Sequence, residues 1–284
     1  MSRLWPSTLV NDLAKRRVVI VIGAGVSKNS VSESGDKRPP LWEEFLRAGL
    51  DHIGPKGTNH IRAALKAGDY LHACEWMKKK FDDDWENFLT EQFLSPSFKP
   101  SNLHDRILRL DQRVVLSMNI DNIYETFVSS LTGGKTFTKK YYDGDVYKFL
   151  RDGSDYIIKV HGTIESPASI IFTQFDYAKA RTEFSEFYHV LDAAILSHTF
   201  LFIGCGVNDP DINLMLENQN FKFPQSKPHY LVTSSKISED LEESLRTNRN
   251  IKCIKYDPKD YHSELVSIID LLIEKVEKEN SVIS

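Results

Sequence analysis

Short apolar runs rich in β-branched residues recur along this chain: Val18–Ile22, Val114–Ser117, Tyr156–Val160, Ile170–Phe172, Phe200–Ile203, Tyr230–Val232 and Ile251–Ile254. Runs this short, apolar on both faces, are what buried parallel strands require. Helical patterns lie between most of them, most clearly at Asp121–Leu131, Glu183–His198, Asp211–Asn218 and Ser263–Lys278. Strands alternating with helices imply right-handed crossovers, which predicts an α/β fold with a doubly wound, mostly parallel sheet.

One stretch breaks the alternation. Leu41–Ile53, Asn59–Lys66, Tyr70–Lys80, Trp85–Phe93 and Leu103–Leu110 all read as amphipathic helices, with no convincing strand among them. This predicts an all-helical lobe, about 41–110, inserted between the first two strands of a single domain spanning 1–284. The polar, proline-terminated stretch Asn29–Pro40 before it reads as a mobile loop of the kind that covers a ligand crevice. The 284 residues are 41% hydrophobic and 27% charged, enough for one sizeable core.

Several function classes are disfavoured. The net charge is −4, so no overall basic footprint points to direct nucleic-acid binding. Cys74, Cys205 and Cys253 lie far apart and form no CxxC pair, so neither a structural zinc site nor a disulfide framework is indicated. Met1–Arg17 has no long apolar segment of the secretory type, and no apolar run is long enough to span a bilayer, so a cytoplasmic, membrane-free protein is expected.

Chemistry-bearing residues cluster where strands end. Val18–Ile22 runs into Gly23-Ala24-Gly25 and a helix start, a turn that lets backbone N–H groups approach an anion such as a diphosphate. Lys28 stands where the common dinucleotide fingerprint has its third glycine, and a Gly-Ala-Gly turn is also a tight strand–helix junction with no ligand. Asn119 and Asp121 follow the strand Val114–Ser117; either could be a helix N-cap, but capping accounts for only one of them. His161 ends Tyr156–Val160 and precedes Gly162, a suitable place for a general base. After Phe200–Ile203 come Gly204-Cys205-Gly206 and Asn208-Asp209-Pro210. Capping explains Asp209 and Pro210 but not the glycines, which suit close approach of a nucleoside. Cys205 could be a nucleophile, although no histidine is adjacent in sequence. In an open parallel sheet the C-terminal strand ends share one rim, so Gly23, Asn119, His161 and Gly204 should converge there.

Taken together, Gly23–Ser27 (GAGVS), Ser117–Asn122 (SMNIDN), His161–Gly162 and Gly204–Gly206 (GCG) resemble the sirtuin superfamily in the family's order. The resemblance implies a Rossmann-like NAD-binding fold. It implies Gly23, Ala24, Gly25 and Ser27 at the diphosphate, Asp121, Gly204, Gly206 and Asp209 elsewhere around the dinucleotide, and Asn119 and His161 as catalytic residues. The chain departs from protein-deacylating sirtuins. Gly162–Thr199 contains no cysteine, so their four-cysteine zinc module is absent; Lys28–Pro40 is polar where they carry a Gly-Ile-Pro-Asp-Phe-Arg stretch; and Met118 replaces their Gln. What remains is similar to bacterial sirtuin-like NAD hydrolases of antiphage defence, with Thoeris and HerA-associated members the nearest comparison.

That resemblance implies NAD as substrate, no metal, and cleavage of the nicotinamide–ribose bond to nicotinamide and ADP-ribose. Asn119 would fix the ribose and a water, and His161 would accept a proton from a ribose hydroxyl or that water. Asp121 would orient the nicotinamide side or simply cap its helix. Other expectations stay open: a deacylase or ADP-ribosyltransferase, or a catalytically silent NAD or ADP-ribose sensor gating a partner ATPase or nuclease. No sensing module is recognised before Val18 or beyond Lys278, so control is expected from homo-oligomer assembly or a HerA-type ATPase partner. Some of the lobe's aromatic residues, Trp42, Trp76 and Trp85 among them, should then face a neighbour while the rest pack within the lobe.

Overall fold

The computed structural model describes residues 4–206 and 208–283; Val207 of the Leu201–Ile212 motif and the start of the Met1–Arg17 stretch lie outside them. The chain opens with α1 (Ser7–Ala14), β1 (Val18–Ile22) and a single turn, α2 (Ala24–Ser27). Four helices follow: α3 (Trp42–Ile53), α4 (Asn59–Lys66), α5 (Tyr70–Phe81) and α6 (Trp85–Phe93). Then come α7 (Asn102–Arg109), β2 (Val114–Ser117), α8 (Ile123–Thr132), β3 (Phe137–Lys140) and β4 (Tyr156–Lys159). The last part runs α9 (Gln174–Glu183), α10 (Ser185–Ser197), β5 (Thr199–Ile203), α11 (Pro210–Lys222), β6 (His229–Ser234), α12 (Glu239–Arg249), β7 (Ile251–Tyr256) and α13 (Lys259–Ile283).

The strands form one seven-stranded sheet in the order β3-β4-β2-β1-β5-β6-β7, every neighbouring pair parallel. The fold is thus the expected doubly wound, Rossmann-like α/β sheet. Successive residues of β1 feed opposite cores, as a central strand requires. Val18, Ile20 and Ile22 join the layer holding α1, α7 and α13, while Val19 and Val21 join the layer of α9, α10 and α11.

The helical insertion has a core of its own, built from Phe45, Leu46, Leu50, Ile61, Met77, Phe81, Trp85, Phe88, Leu89 and Phe93. It meets the sheet rim through Ile120, Ile164 and Ile170. Leu103, Ile107 and Leu110 pack in the sheet layer instead, so α7 covers the sheet rather than extending the lobe core. Most of the lobe's aromatic residues pack inward, with Phe45, Phe81, Phe88 and Phe93 in its core. Trp85 is buried, and half-buried Trp42 lies 5.9 Å from Phe45 and 4.6 Å from Phe172. Half-buried Trp76 sits against His60 and His72. The lobe's own core thus takes up much of its aromatic content, leaving Trp42 and Trp76 part-exposed.

Three departures from the expected elements have simple causes. Ile170–Phe172 is not a strand: Ile171 N–H makes a single bond to the His161 carbonyl, and the apolar run exists because Ile170 enters the lobe core and Ile171 the sheet core. The edge strand β3 (FTKK) carries no apolar run because its residues are exposed or half-exposed. The polar helix α12 hides its nature in the same way, burying only Leu245. Within Asn29–Pro40, Val31 bridges to Lys99, and the Ser32 hydroxyl bonds Asp36 at 2.9 Å. Among the described residues no helix is long and apolar enough to cross a membrane.

Candidate active site

The four motifs sit at the C-terminal ends of four consecutive strands of the sheet, with His161 after β4, Asn119 after β2, Gly23 after β1 and Gly204 after β5. Strand order therefore places a histidine, an amide, a glycine turn and a second glycine turn side by side, at the edge where open α/β sheets hold ligands.

The two glycine turns are interlocked. Gly23 N–H bonds the Ile203 carbonyl at 3.1 Å and Gly25 N–H bonds the Gly204 carbonyl at 2.9 Å. A Cβ on Gly25 would lie 2.9 Å from Gly204 Cα, and one on Gly23 would lie 2.7 Å from the Gly204 carbonyl oxygen. Gly204 itself has φ +63°, and a Cβ there would sit 2.5 Å from Val26 N. These glycines are therefore required by the approach of one backbone to another, whatever ligand lies above them. Gly206 has only the Asn208 side chain near it, at 3.1 Å. Cys205 fills the space beneath the turn: its Sγ lies 3.4 Å from the Val21 and Ile203 carbonyls, and burial pushes its thiol up to about 12. A thiol so held is a poor nucleophile at neutral pH.

Asn119, Ser27 and Asp121 form a buried chain. Asn119 Nδ2 donates to the Gly23 carbonyl at 3.0 Å and to Ser27 Oγ at 2.9 Å, and Ser27 Oγ donates to Asp121 Oδ2 at 2.7 Å. The Gly23 carbonyl can only accept, so this contact fixes which end of the Asn119 amide is nitrogen. Both amide protons are thereby used, and Asn119 Oδ1 accepts no bond among the described residues. Asn119 thus offers a ligand an acceptor. Asp121 Oδ1 accepts from Ile123 N–H at 3.1 Å from one position before the Asn122 N-cap of α8, so this carboxylate both supports the helix start and receives the Ser27 hydroxyl.

His161 is gripped at both ring nitrogens. Nδ1 lies 3.2 Å from the Met118 carbonyl and Nε2 lies 2.9 Å from Asp209 Oδ2. Neither partner can donate in its usual state, so each contact is one that a ring N–H can make. Asp209 is bifunctional. Its Oδ1 caps α11, accepting from Asp211 N–H at 3.1 Å and Ile212 N–H at 2.8 Å, while Oδ2 faces the imidazole. Burial pushes this carboxyl upward, but the His161 bond and charge, the Ile212 N–H and the Tyr177 hydroxyl together hold it below the ordinary carboxylate range. Gly162 completes the turn: with φ +79°, a Cβ there would meet the Ser169 carbonyl at 2.3 Å.

Two residues of the site escaped the sequence reading. Tyr177 on α9 donates to Asp209 Oδ2 at 2.6 Å and lies 3.1 Å from His161 Nε2. Burial, then the Asp209 charge, raise its phenol well above normal, so it remains a donor. No local pattern marks it. Lys159, the last residue of β4, is fully buried, and its ammonium pairs with Glu125 Oε1 at 2.6 Å and with the Asp121 carbonyl. A lysine closing an otherwise apolar strand immediately before Val160-His161 was its sequence signal. Beyond Asp209 lies Asp211, paired with Arg181 at 3.1 Å; burial, then the Asp209 charge, raise its carboxyl to about 6.

Comparison with known proteins fits this arrangement. The SIR2-like domain profile matches residues 113–254, half of the 284-residue chain. That range holds the Asn119, His161 and Gly204 motifs and begins after the Gly23 turn. Defense-associated sirtuin 2 of Bacillus subtilis is 26% identical over 92% of this chain and 26% of its own length. The NAD(+) hydrolase ThsA of Acinetobacter baumannii is 26% identical over 79% of this chain and 44% of its own. The NAD(+) hydrolase ThsA of Enterococcus faecium is 28% identical over 82% and 46%. The chain thus spans between about a quarter and a half of the length of these curated relatives.

Proposed function

The chain belongs to the SIR2-like domain family, and on that premise we propose that it is an NAD hydrolase that cleaves the nicotinamide–ribose bond, yielding nicotinamide and ADP-ribose. The observation that carries the reading is the adjacency of His161, Asn119 and the Gly23 turn on neighbouring strands, with Asn119 Nδ2 bonded to the Gly23 carbonyl at 3.0 Å. Two relatives named NAD(+) hydrolase support the choice of substrate.

In this reading the dinucleotide diphosphate lies over Gly23, Ala24, Gly25 and Ser27, with Gly204, Gly206 and Asp209 flanking the nucleoside. Asn119 Oδ1 accepts a hydrogen bond from a ribose hydroxyl or from the attacking water. That placement lowers the entropic part of the barrier as the nicotinamide bond breaks and an oxocarbenium-like ribose forms. Asp121 acts through Ser27 to keep the Asn119 amide in place. His161 accepts the proton released by the ribose hydroxyl or the water. Nε2 takes that proton, while the Nδ1 contact with the Met118 carbonyl keeps the ring aimed. Asp209 and Tyr177 then stabilise the imidazolium. One water is consumed per NAD, and its atoms end on ADP-ribose and the released proton. The chemistry calls on no metal.

NAD depletion in antiphage defence, within the cytoplasm, is the role that fits the named relatives. Homo-oligomer assembly, or a HerA-type ATPase partner, is the proposed control. Light scattering with nicotinamide release across micromolar concentrations tests it; a fully active, strictly monomeric and partner-insensitive chain would rule it out.

The deciding experiment is mass-spectrometric detection of nicotinamide and ADP-ribose from the purified chain with NAD alone, then with an acylated peptide. Peptide-independent release supports the hydrolase. Release that requires the peptide would mark a deacylase or ADP-ribosyltransferase, and binding without release a silent sensor.

A further inference from the structure

A fully buried lysine at the end of a core strand demands an explanation, because placing an ammonium group away from water costs several kcal/mol unless its partners compensate. Lys159 has two such partners on one side of the sheet. Its Nζ pairs with Glu125 Oε1 at 2.6 Å and donates to the Asp121 carbonyl. The Asp121 carbonyl lies just before the Asn122 cap of α8 and so stands outside the helical ladder. Lys159 is also two residues before His161 on the same segment of chain.

The short turn from Met118 to Asp121 carries most of the site. The Met118 carbonyl receives His161 Nδ1 at 3.2 Å. Asn119 reaches the Gly23 carbonyl and Ser27, and Asp121 Oδ2 receives the Ser27 hydroxyl at 2.7 Å. Outside the side-chain relay, the turn is held by Met118 N–H to the Ile22 carbonyl at 2.9 Å, by Ile164 N–H to the Ile120 carbonyl at 2.8 Å, and by the Ser117 hydroxyl, 3.3 Å from Asn119 N. Its far end rests on Lys159.

We propose that Lys159 is the positioning residue of this site: by holding the Asp121 carbonyl while anchored to Glu125, it fixes the turn that aims Asn119 and receives His161. A merely structural pair would behave differently. Buried ion pairs replaced by neutral groups of similar size often leave stability unchanged or improved, whereas removing one partner strands the other. Glu125 already has one buried oxygen, Oε2, without a hydrogen-bond partner, so its other oxygen and Lys159 form a pair that must be removed together.

The proposal rests on the hydrolase reading for its kinetic arm only. The test is the double variant Lys159→Met/Glu125→Gln in the full chain. It is compared with the wild type by nicotinamide release from NAD, by melting temperature, and by hydrogen exchange of the Asn119 side-chain amide in asparagine-labelled protein. The expected result is a melting temperature within a few degrees of wild type, Asn119 amide exchange faster by roughly tenfold or more, and kcat lower by about tenfold or more with KM changed less than about threefold. That split follows from losing an interaction felt in the transition state rather than in substrate binding. Unchanged Asn119 exchange overturns the proposal whatever the activity, and so does wild-type kcat in the double variant. If the wild type releases no nicotinamide, the hydrolase reading fails and the exchange measurement alone decides on Lys159. If the double variant does not fold, Lys159→Arg is read by the same exchange experiment: it keeps the charge but displaces the donor, so faster exchange supports the proposal and unchanged exchange overturns it.

Discussion

Asp209 Oδ2 lies 2.9 Å from His161 Nε2 although 48 positions separate the two residues, and the same carboxylate's other oxygen caps α11. One side chain thus ties the candidate base to the start of a helix, so the orientation of His161 and the seating of α11 are not independent.

Asp209→Asn separates those two duties. Asparagine caps helices about as well as aspartate, so α11 should remain. The charge facing His161 is lost, and nicotinamide release should fall by roughly 10- to 100-fold, within the range for a disturbed general base. The stability effect has a definite sign. The Asp209 carboxyl is held below its ordinary value, so its contribution is present above the unfolded-state pKa of about 4 and disappears as pH falls through the lower folded value. Urea midpoints should therefore favour the wild type at pH 7, with the gap closing in strong acid. A gap independent of pH would contradict the lowered carboxyl.

Replacing His161 or Asn119 by alanine should reduce nicotinamide release by on the order of 10²–10⁴ while near-ultraviolet dichroism stays native. Tyr177→Phe removes a single donor to Asp209 and should cost about tenfold. Turnover close to normal in a folded His161→Ala protein would remove His161 from the reaction.

Asp211 should leave the opposite signature. Its folded carboxyl is raised to about 6, so the folded state holds that proton more tightly than the unfolded chain, and stability should decline as pH rises from about 4 through 6. Asp211→Asn lacks this titration, so its stability relative to the wild type should grow across that window in matched urea titrations. A constant difference would show that Arg181 compensates fully.

Gly204→Ala is predicted to be among the more damaging small substitutions. The residue has φ +63°, and its new Cβ would fall 2.5 Å from Val26 N. Left-handed strain adds about 1 kcal/mol and overpacking about 1–3 kcal/mol. A calorimetric melting temperature unchanged by the substitution would mean that the two turns are not interlocked.

Exhaustive dialysis against a chelator should leave nicotinamide release unaltered. The stretch Gly162–Thr199 lacks cysteine, and His161 and Asp209 are hydrogen-bonded to each other. Joint loss of bound metal and activity would reveal a site made of other ligands.

The sequence by itself determined the sheet's interior and the identity of its rim. Val18–Ile22, Val114–Ser117 and most of the later strands are legible because a strand buried on both faces must be apolar at every position. Gly23–Gly25, Asn119, His161 and Gly204 are legible because each interrupts such a run at its end. The edge strand β3 is not, because its half-solvated residues are polar, and Ile170–Phe172 misleads because it is apolar without being a strand, bridging two cores. Only the tertiary structure decided what each rim residue touches. The order β4-β2-β1-β5 sets His161 beside Asn119, and the crossover through α9 and α10 brings Tyr177 and Asp209 onto the imidazole. It also turned the glycines into a mutual backbone contact and Lys159 into a buried tether. Local pattern records how much of a residue is hidden, whereas a partner is chosen by strand order and chain crossing. Those are properties of the whole folded chain.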